Sequence, residues 1–230
     1  CLDGAELCIS SYSDIDLGRV KAELDERGLG CSTISTGQAR GIEGLSLIGV
    51  PADITKRTQE RFMQHIDAAK VLGSKVTIGL MRGLGSLETM DRDLADLSEA
   101  MKPLVAYADQ KGVTLCLEAI NRYETALNSA EATMDFIVND LGNPGCVGIL
   151  WDLFHANIED IGFKQSIDIM GSRLQHVHLA DSNRMFPGYG HTDFAGVLKA
   201  VKESGYSQYC SFECLNQPSV EIILKDTAAW

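Results

Sequence analysis

A repeated order of strand, helix and glycine restricts the fold of this sequence more than any other feature. Six predicted helices end at a glycine, and a predicted strand begins within a few residues of each one. Glycine readily adopts the left-handed backbone that ends a helix, so each one marks a helix-to-strand corner. Strict alternation of strands and helices predicts a parallel sheet covered by helices. The six glycines are Gly28, Gly73, Gly112, Gly142, Gly171 and Gly205.

Several predicted strands carry apolar residues on both faces, as expected when helices cover the outside of a sheet and side chains fill its inside. No G-x-G-x-x-G motif follows an early strand, which argues against an open dinucleotide-binding sheet. We therefore predict a (β/α)8 TIM barrel whose first strand is missing from the N-terminus. The seven remaining strands are predicted over residues 5–9, 31–35, 75–80, 113–120, 146–152, 174–180 and 209–215.

The size of the chain suits one such barrel. Its 230 residues, of which 45% are hydrophobic, are sufficient for one large core. The sequence opens at Cys1 without a methionine, and its last predicted helix stops at Trp230. We predict a single TIM-barrel domain over residues 1–230, truncated at both ends.

Charge and cysteine usage restrict the partners and the compartment. A formal net charge of −12 argues against a nucleic-acid partner and against binding to an anionic membrane surface. No apolar run approaches the roughly 20 residues that a membrane helix needs. The seven cysteines are scattered and form no C-x-x-C pair, which favours a reducing compartment. These features predict a cytoplasmic protein that binds a small polar molecule.

Polar residues stand at the carboxyl ends of the last four predicted strands. They are Glu118, Asp152, His178 and Glu213, and strand parity places them on the inward face. Parallel strands end at one rim of a barrel, where barrel enzymes carry their chemistry. Three carboxylates gathered there repel one another unless a cation lies between them. The sequence therefore predicts a divalent metal site, and its oxygen-rich ligands favour Mn²⁺, Mg²⁺ or Co²⁺ over structural zinc.

A second set of polar residues lies in the segments that follow these strands. Acid, amide, imidazole and guanidinium groups of this kind are suited to bind the hydroxyls and the carbonyl of a sugar. We predict that the second set surrounds the metal site. Its members are Asn121, Glu124, His155, Arg184 and His191.

Four segments together carry a family resemblance. They are residues 117–124 (LEAINRYE), 151–159 (WDLFHANIE), 176–184 (HVHLADSNR) and 212–213 (FE). In this order they resemble the xylose-isomerase-like TIM-barrel superfamily of sugar isomerases and epimerases. Within it, they are most similar to ketose epimerases of the D-tagatose 3-epimerase type. The resemblance covers essentially the whole chain from Ala5.

The resemblance implies a metal-dependent 3-epimerase that acts on a ketose or a keto sugar acid. It implies that Glu118, Asp152, His178 and Glu213 bind the metal, with Mn²⁺ the first choice. It also implies that Glu118 and Glu213 transfer protons through a cis-enediolate. Related barrels form dimers or tetramers, so the resemblance implies a homo-oligomer. The residues that match substrate-binding positions are Glu124, His155 and Arg184.

Other functions on this fold stay open. An aldose-ketose isomerase such as hydroxypyruvate isomerase, or an inosose dehydratase, uses the same chemistry. A nuclease of the endonuclease IV type needs a trinuclear zinc cluster with more histidines than five in an acidic chain provide. A non-catalytic sugar-binding protein has no need of two facing acids. Arg82 and Arg184 could bind a phosphate or a carboxylate on the substrate, so a charged sugar stays open. No glycine-rich phosphate-binding loop is visible in the sequence.

Overall fold

A computed structural model describes residues 2–126 and 128–229 of the chain, so Cys1, Leu127 and Trp230 lie outside the described residues. Seven strands form one sheet in the order β1 to β7, and each strand runs parallel to its neighbours. The strands are β1 (Gly4–Cys8), β2 (Gly30–Ser35), β3 (Lys75–Ile78), β4 (Leu115–Ala119), β5 (Val147–Asp152), β6 (Leu174–Leu179) and β7 (Cys210–Phe212).

Helices connect the strands and cover the outside of the sheet. The part of the chain described contains α1 (Leu17–Glu26), α2 (Gly37–Glu43), α3 (Ala52–Leu72), α4 (Met90–Lys111), α5 (Ala130–Asp135), α6 (Leu153–Glu159), α7 (Phe163–Met170), α8 (Phe194–Glu203) and α9 (Val220–Ala229). Among the described helices, none combines the length and the apolar character of a membrane span.

The sheet curves until its first strand faces its last two. The Glu6 carboxylate of β1 lies 3.0 Å from Nε2 of His178 in β6. Deeper in the interior, the hydroxyl oxygens of Ser32 in β2 and Ser211 in β7 are 3.3 Å apart. The TIM-barrel fold with one strand fewer than eight is therefore confirmed, and the open position lies between β7 and β1.

The six glycine corners are also confirmed. Each of the six predicted glycines has a φ angle between 48° and 81°. Gly73 and Gly112 close α3 and α4, and their N–H groups bond to the carbonyls of Ala69 and Ala108. A residue with a side chain is strained at such φ angles, so glycine at these positions allows the chain to leave the helix and enter the next strand.

Three local details add to the strand pattern. Helix α2 lies between β2 and α3. Helix α5 is capped by Ser129, whose hydroxyl accepts from the Ala132 N–H at 3.1 Å. Strand β7 is three residues long, shorter than the predicted range 209–215, and β6 is its only paired neighbour among the described strands.

The apolar core lies between the helices and the sheet, whereas the barrel interior is polar. Phe62, Ile66 and Ala69 of α3 are fully buried in this core. Burying a side chain of Phe size stabilises the fold by roughly 1.5–3 kcal/mol. Inside the barrel, the hydroxyls of Thr33 and Thr77 lie 2.9 Å apart. The outer core therefore holds the strands in place while the interior carries polar chemistry.

Gly148 of β5 tests how closely β5 and β6 are packed. A Cβ atom added there would lie 2.3 Å from the Gln175 side chain and 2.8 Å from the backbone carbonyl oxygen of Arg173. We expect Gly148→Ala to lower the free energy of unfolding by about 1–3 kcal/mol through overpacking. Gly145→Ala is the matched control, because nothing lies within 4 Å of its added Cβ. Urea denaturation measures both variants, and equal midpoints would contradict this packing.

Candidate active site and metal centre

The last four strands deliver one polar side chain each to the same rim of the barrel. Glu118 lies near the end of β4, and Asp152 is the last residue of β5. Asp152 also caps α6, because its Oδ1 accepts from the backbone N–H of Phe154 at 2.7 Å. His178 lies near the end of β6, and Glu213 directly follows β7. Because parallel strands end together, the four side chains converge.

The structure brings all four of these predicted residues together. One ligand atom from each lies within 4.8 Å of the others. Nδ1 of His178 is 3.4 Å from Glu213 Oε2, 3.7 Å from Asp152 Oδ2 and 3.9 Å from Glu118 Oε1. This is a possible metal site with three carboxylates and one imidazole.

Two atoms at the centre of this cluster are without a hydrogen-bond partner within the described residues. They are Oδ2 of Asp152 and Nδ1 of His178, and both are buried. Leaving such an atom buried and unpaired costs about 1–3 kcal/mol. Both atoms are of the kind that coordinates a cation, so the residues present fit a divalent metal with mainly oxygen ligands.

Burial and mutual repulsion shift the protonation of the metal-free cluster. Burial, followed by the charge of Glu213, raises the pKa of Glu118 to about 8. Burial also acts to raise the pKa of Asp152, but the neighbouring His178 and His155 outweigh it and leave that pKa at about 2. Burial lowers the pKa of His178, yet the charges of Glu6 and Glu213 hold it well above 6.5. The cluster therefore retains protons at neutral pH in place of a cation.

Glu6 is a site residue that the sequence analysis missed. It belongs to β1, on the far side of the barrel interior, and its carboxylate lies against Nε2 of His178. An acidic residue in a short, mostly apolar strand is the signal that points to it, since a carboxylate is seldom buried without a partner.

The second set of predicted residues divides into pairs. The guanidinium of Arg184 lies 3.1 Å from the Glu124 carboxylate and 3.4 Å from that of Glu213. The Asn121 amide donates to Nδ1 of His155 at 2.7 Å. This bond leaves the proton of the neutral His155 ring on Nε2, which is 3.9 Å from Glu118 Oε1.

A cavity of 280 Å³ opens beside the cluster. Its acidic and basic walls come from Glu118, Glu124, His155, Arg184 and Glu213. The opposite wall carries polar groups from the ends of β1, β2 and β3 and from the start of α2. These are Cys8, Ser35, Thr36, Gln38 and Thr77.

Two polar residues that the sequence singled out do not line this cavity. His191 does not line it; the residue is exposed, and its Nδ1 lies 3.0 Å from the Ser182 hydroxyl. Arg82 does not line it either, because its buried guanidinium donates to the backbone carbonyl of Glu118. Arg82 therefore supports the Glu118 backbone and is not placed to bind a substrate anion.

The loop after β6 holds Arg184 in an unusual backbone conformation. Its φ angle is 61°, in the left-handed region that a residue with a side chain seldom occupies. Its N–H donates to the Asp181 carbonyl at 2.8 Å, and its own carbonyl accepts from Leu215 at 2.8 Å. The Asp181 carboxylate in turn accepts the backbone N–H groups of Gly188 and Thr192. This bonding directs Arg184 towards the cavity.

Comparison with known proteins identifies the family. The family model described as xylose isomerase-like TIM barrel matches residues 2–230, and the chain belongs to this family. It is an enzyme of the sugar isomerase and epimerase class.

Relatives and solved structures agree with this assignment. The L-ribulose 3-epimerase of Mesorhizobium japonicum is 31% identical over 99% of this chain and 77% of its own length. The 3-dehydro-D-guloside 4-epimerase of Escherichia coli is 27% identical over 86% of this chain and 77% of its own. The structure of a Methylomonas sp. D-allulose 3-epimerase in complex with D-allulose aligns with a TM-score of 0.78 and 26% identity, covering 99% of this chain and 78% of that one.

The raised pKa of Glu118 makes the metal-free protein sensitive to pH. Between its ordinary pKa of 4.5 and its folded value of about 8, the folded state keeps a proton that the unfolded state loses. The raised pKa of His178 likewise lowers the free energy of unfolding as the pH rises above 6.5. The pKa values of His65, His155 and His176 are lowered, so these residues change the free energy of unfolding only below pH 6.5. We expect the free energy of unfolding, measured with a chelator present, to fall from pH 6.5 to 8.

The Glu118→Gln variant isolates the contribution of this carboxyl group. We expect its pH slope to be shallower than that of the wild type, by up to about 1.4 kcal/mol per pH unit. Glu99→Gln, on the exposed face of α4, is the control and should keep the wild-type slope. Equal slopes for wild type and Glu118→Gln in urea titrations would contradict the raised pKa.

Proposed function

We propose that this protein is a metal-dependent ketose 3-epimerase. The observation that carries the proposal is the pair Glu118 and Glu213, which belong to one possible metal site and line the same cavity. A protein that only binds sugar has no use for two acids placed in this way. An epimerase needs two, one to remove a proton and one to return it on the other face.

The donor set supports Mn²⁺ as the bound metal, with Mg²⁺ or Co²⁺ as alternatives. Glu118, Asp152, His178 and Glu213 would hold it. When bound, the metal would polarise the carbonyl and the neighbouring hydroxyl of the sugar. The C–H bond of the carbon that carries this hydroxyl would then become more acidic.

The two glutamates would carry the proton transfer. One carboxylate removes the proton from the third carbon of the ketose, which leaves a cis-enediolate. The second, protonated glutamate then donates to the opposite face of that carbon, so that the centre is inverted. After one turnover the proton has moved from one glutamate to the other. Which of Glu118 and Glu213 removes the proton depends on the epimer that is bound.

Groups around the pair would hold the substrate. Arg184 and the Nε2–H of His155 are donors facing the cavity, and Glu124 is an acceptor beside them. These groups match the oxygen atoms of a polyhydroxy ketone. Fixing those oxygens keeps the reacting carbon between the two glutamates.

The charge of the cavity supports a neutral sugar as the substrate. Three glutamates line it, and Arg184 is already paired with Glu124 and Glu213. The remaining wall offers hydroxyl and amide groups such as those of Ser35 and Gln38. A phosphate or a carboxylate on the substrate would meet net negative charge there, so we favour a free ketose over a sugar phosphate or keto sugar acid.

The names of the relatives support reaction at the third carbon. L-Ribulose and D-allulose, which appear in the names of two of them, are free ketoses. The name of the Escherichia coli relative describes epimerisation at the fourth carbon of a 3-dehydro sugar. That carbon is adjacent to the 3-keto group, so the same type of proton transfer would apply there. A 3-epimerase of free, uncharged ketoses agrees best with the charge of the cavity.

We also propose a cytoplasmic location and a homo-oligomeric state. All six described cysteines are free, which supports a reducing compartment. Apolar side chains of α9 are exposed, including Val220, Ile222 and Leu224, and this supports association into a dimer or tetramer.

Isosteric substitution of the two acids tests the proposed reaction. We expect Glu118→Gln and Glu213→Gln each to lower kcat by roughly 10²- to 10⁴-fold, because the amide cannot transfer the proton. Epimer formation from L-ribulose and D-allulose, followed by chromatography with Mn²⁺ present, measures the loss. Glu99→Gln, far from the site, is the matched control and should keep wild-type turnover.

Two results would contradict the proposal. One is full epimerase activity in either the Glu118→Gln or the Glu213→Gln variant. The other is formation of an aldose in place of the epimeric ketose by the wild-type enzyme, which would assign the protein to the isomerases of this fold.

A further inference from the structure

The Glu6 carboxylate lies inside the barrel beneath the candidate metal centre. Its side chain is 13% exposed, and it projects from β1 towards the strands on the opposite side of the interior. A strand position inside a barrel is ordinarily filled by an apolar side chain. A carboxylate that is this little exposed to water must therefore be held by specific partners.

Three side chains donate to this carboxylate. Nε2 of His178 lies 3.1 Å and 3.0 Å from its two oxygens, and Nε2 of His176 lies 3.2 Å from Oε2. The Ser35 hydroxyl donates to Oε1. Glu6 is therefore the shared hydrogen-bond acceptor of these three side chains.

The consequence for His178 concerns its two ring nitrogens. A carboxylate only accepts hydrogen bonds, so the proton of a neutral His178 ring belongs on Nε2, next to Glu6. The lone pair then belongs to Nδ1, which faces Glu118, Asp152 and Glu213. Nδ1 is also the nitrogen without a hydrogen-bond partner in the described structure.

We infer that Glu6 is a positioning residue for the metal centre: it holds His178 with Nε2 protonated and Nδ1 directed at the cation. A carboxylate that accepts from a metal-bound imidazole fixes the orientation of the ring and raises its basicity as a ligand. The inference rests on the proposed metal site, because without a metal the choice of nitrogen has no chemical use.

A second cation among Glu6, His176 and His178 is the competing interpretation, since these three residues also bring ligand atoms within 4.8 Å of one another. Such a cation would need Nε2 of His178, which is already bonded to Glu6. Nε2 of His176 is likewise satisfied by Glu6 and by the Ser211 hydroxyl at 2.9 Å. The atoms of this group are paired, unlike those of the main centre, so its geometry favours a hydrogen-bonded support.

Direct titration of Mn²⁺ into chelator-stripped protein tests the inference. We expect Glu6→Gln to weaken Mn²⁺ binding by roughly 10- to 100-fold, the usual effect of losing the partner of a metal-bound histidine. His176→Gln is the matched control, because it disturbs the same interior cluster but leaves the bond between Glu6 and His178. Its Mn²⁺ affinity should stay near that of the wild type.

Two further measurements separate positioning from general damage. In Mg²⁺-loaded protein with ¹⁵N-labelled histidine, long-range ¹H–¹⁵N spectra should show His178 protonated at Nε2 in the wild type but not uniformly so in Glu6→Leu, which lacks an acceptor. The kcat of Glu6→Gln should also recover at saturating Mn²⁺. A variant with a damaged fold would not be rescued by added metal.

Several results would overturn the inference. Wild-type Mn²⁺ affinity in Glu6→Gln would do so while leaving the proposed function intact, as would a wild-type spectrum with the His178 proton on Nδ1. If Glu6→Leu does not fold, the affinity of Glu6→Gln decides. Failure of the wild-type protein to bind Mn²⁺ would remove the proposed metal site itself, and the inference with it.

Discussion

Repulsion among three carboxylates is the constraint on which the candidate site depends. Glu118, Asp152 and Glu213 are held within 4.8 Å of one another by three strands that the surrounding core keeps in register. Burial, followed by the charge of Glu213, raises the pKa of Glu118 to about 8, so the cluster keeps a proton when no cation is bound. The same arrangement becomes favourable once a divalent cation lies between the acids. A divalent cation would relieve this repulsion while leaving all three acids ionised.

The surrounding residues keep the side chains of the cluster from moving apart. Asp152 is held by the first turn of α6, and Arg184 by the bonded loop after β6, so neither moves freely away from the centre. Glu6 holds His178 from below and leaves one nitrogen facing the acids. The open side of the cluster is the cavity, where a substrate meets the two glutamates of the proposed reaction.

The alternation of strands, helices and glycines was sufficient to predict the barrel. Strand parity and the position of strand ends predicted the convergence of Glu118, Asp152, His178 and Glu213. These signals are local, since each side chain is directed by its own strand. Glu6 was not predicted as a site residue because its partner, His178, is 172 residues away in sequence and lies across the barrel. His191 does not line the cavity because backbone bonds to Asp181 shape the loop that carries it. Such bonds depend on loop geometry and leave no periodic pattern in the sequence.

Deuterium incorporation tests the central claim most directly: that Glu118 and Glu213 exchange the proton at the third carbon of a neutral ketose. The enzyme is incubated with Mn²⁺ and a free ketose in D₂O, and the sugars are analysed by NMR after removal of the metal. The account predicts deuterium at the third carbon, abolished by a chelator and by combined Glu118→Gln and Glu213→Gln substitution. Deuterium at the first carbon alone, or exchange that persists in the doubly substituted enzyme, would contradict it.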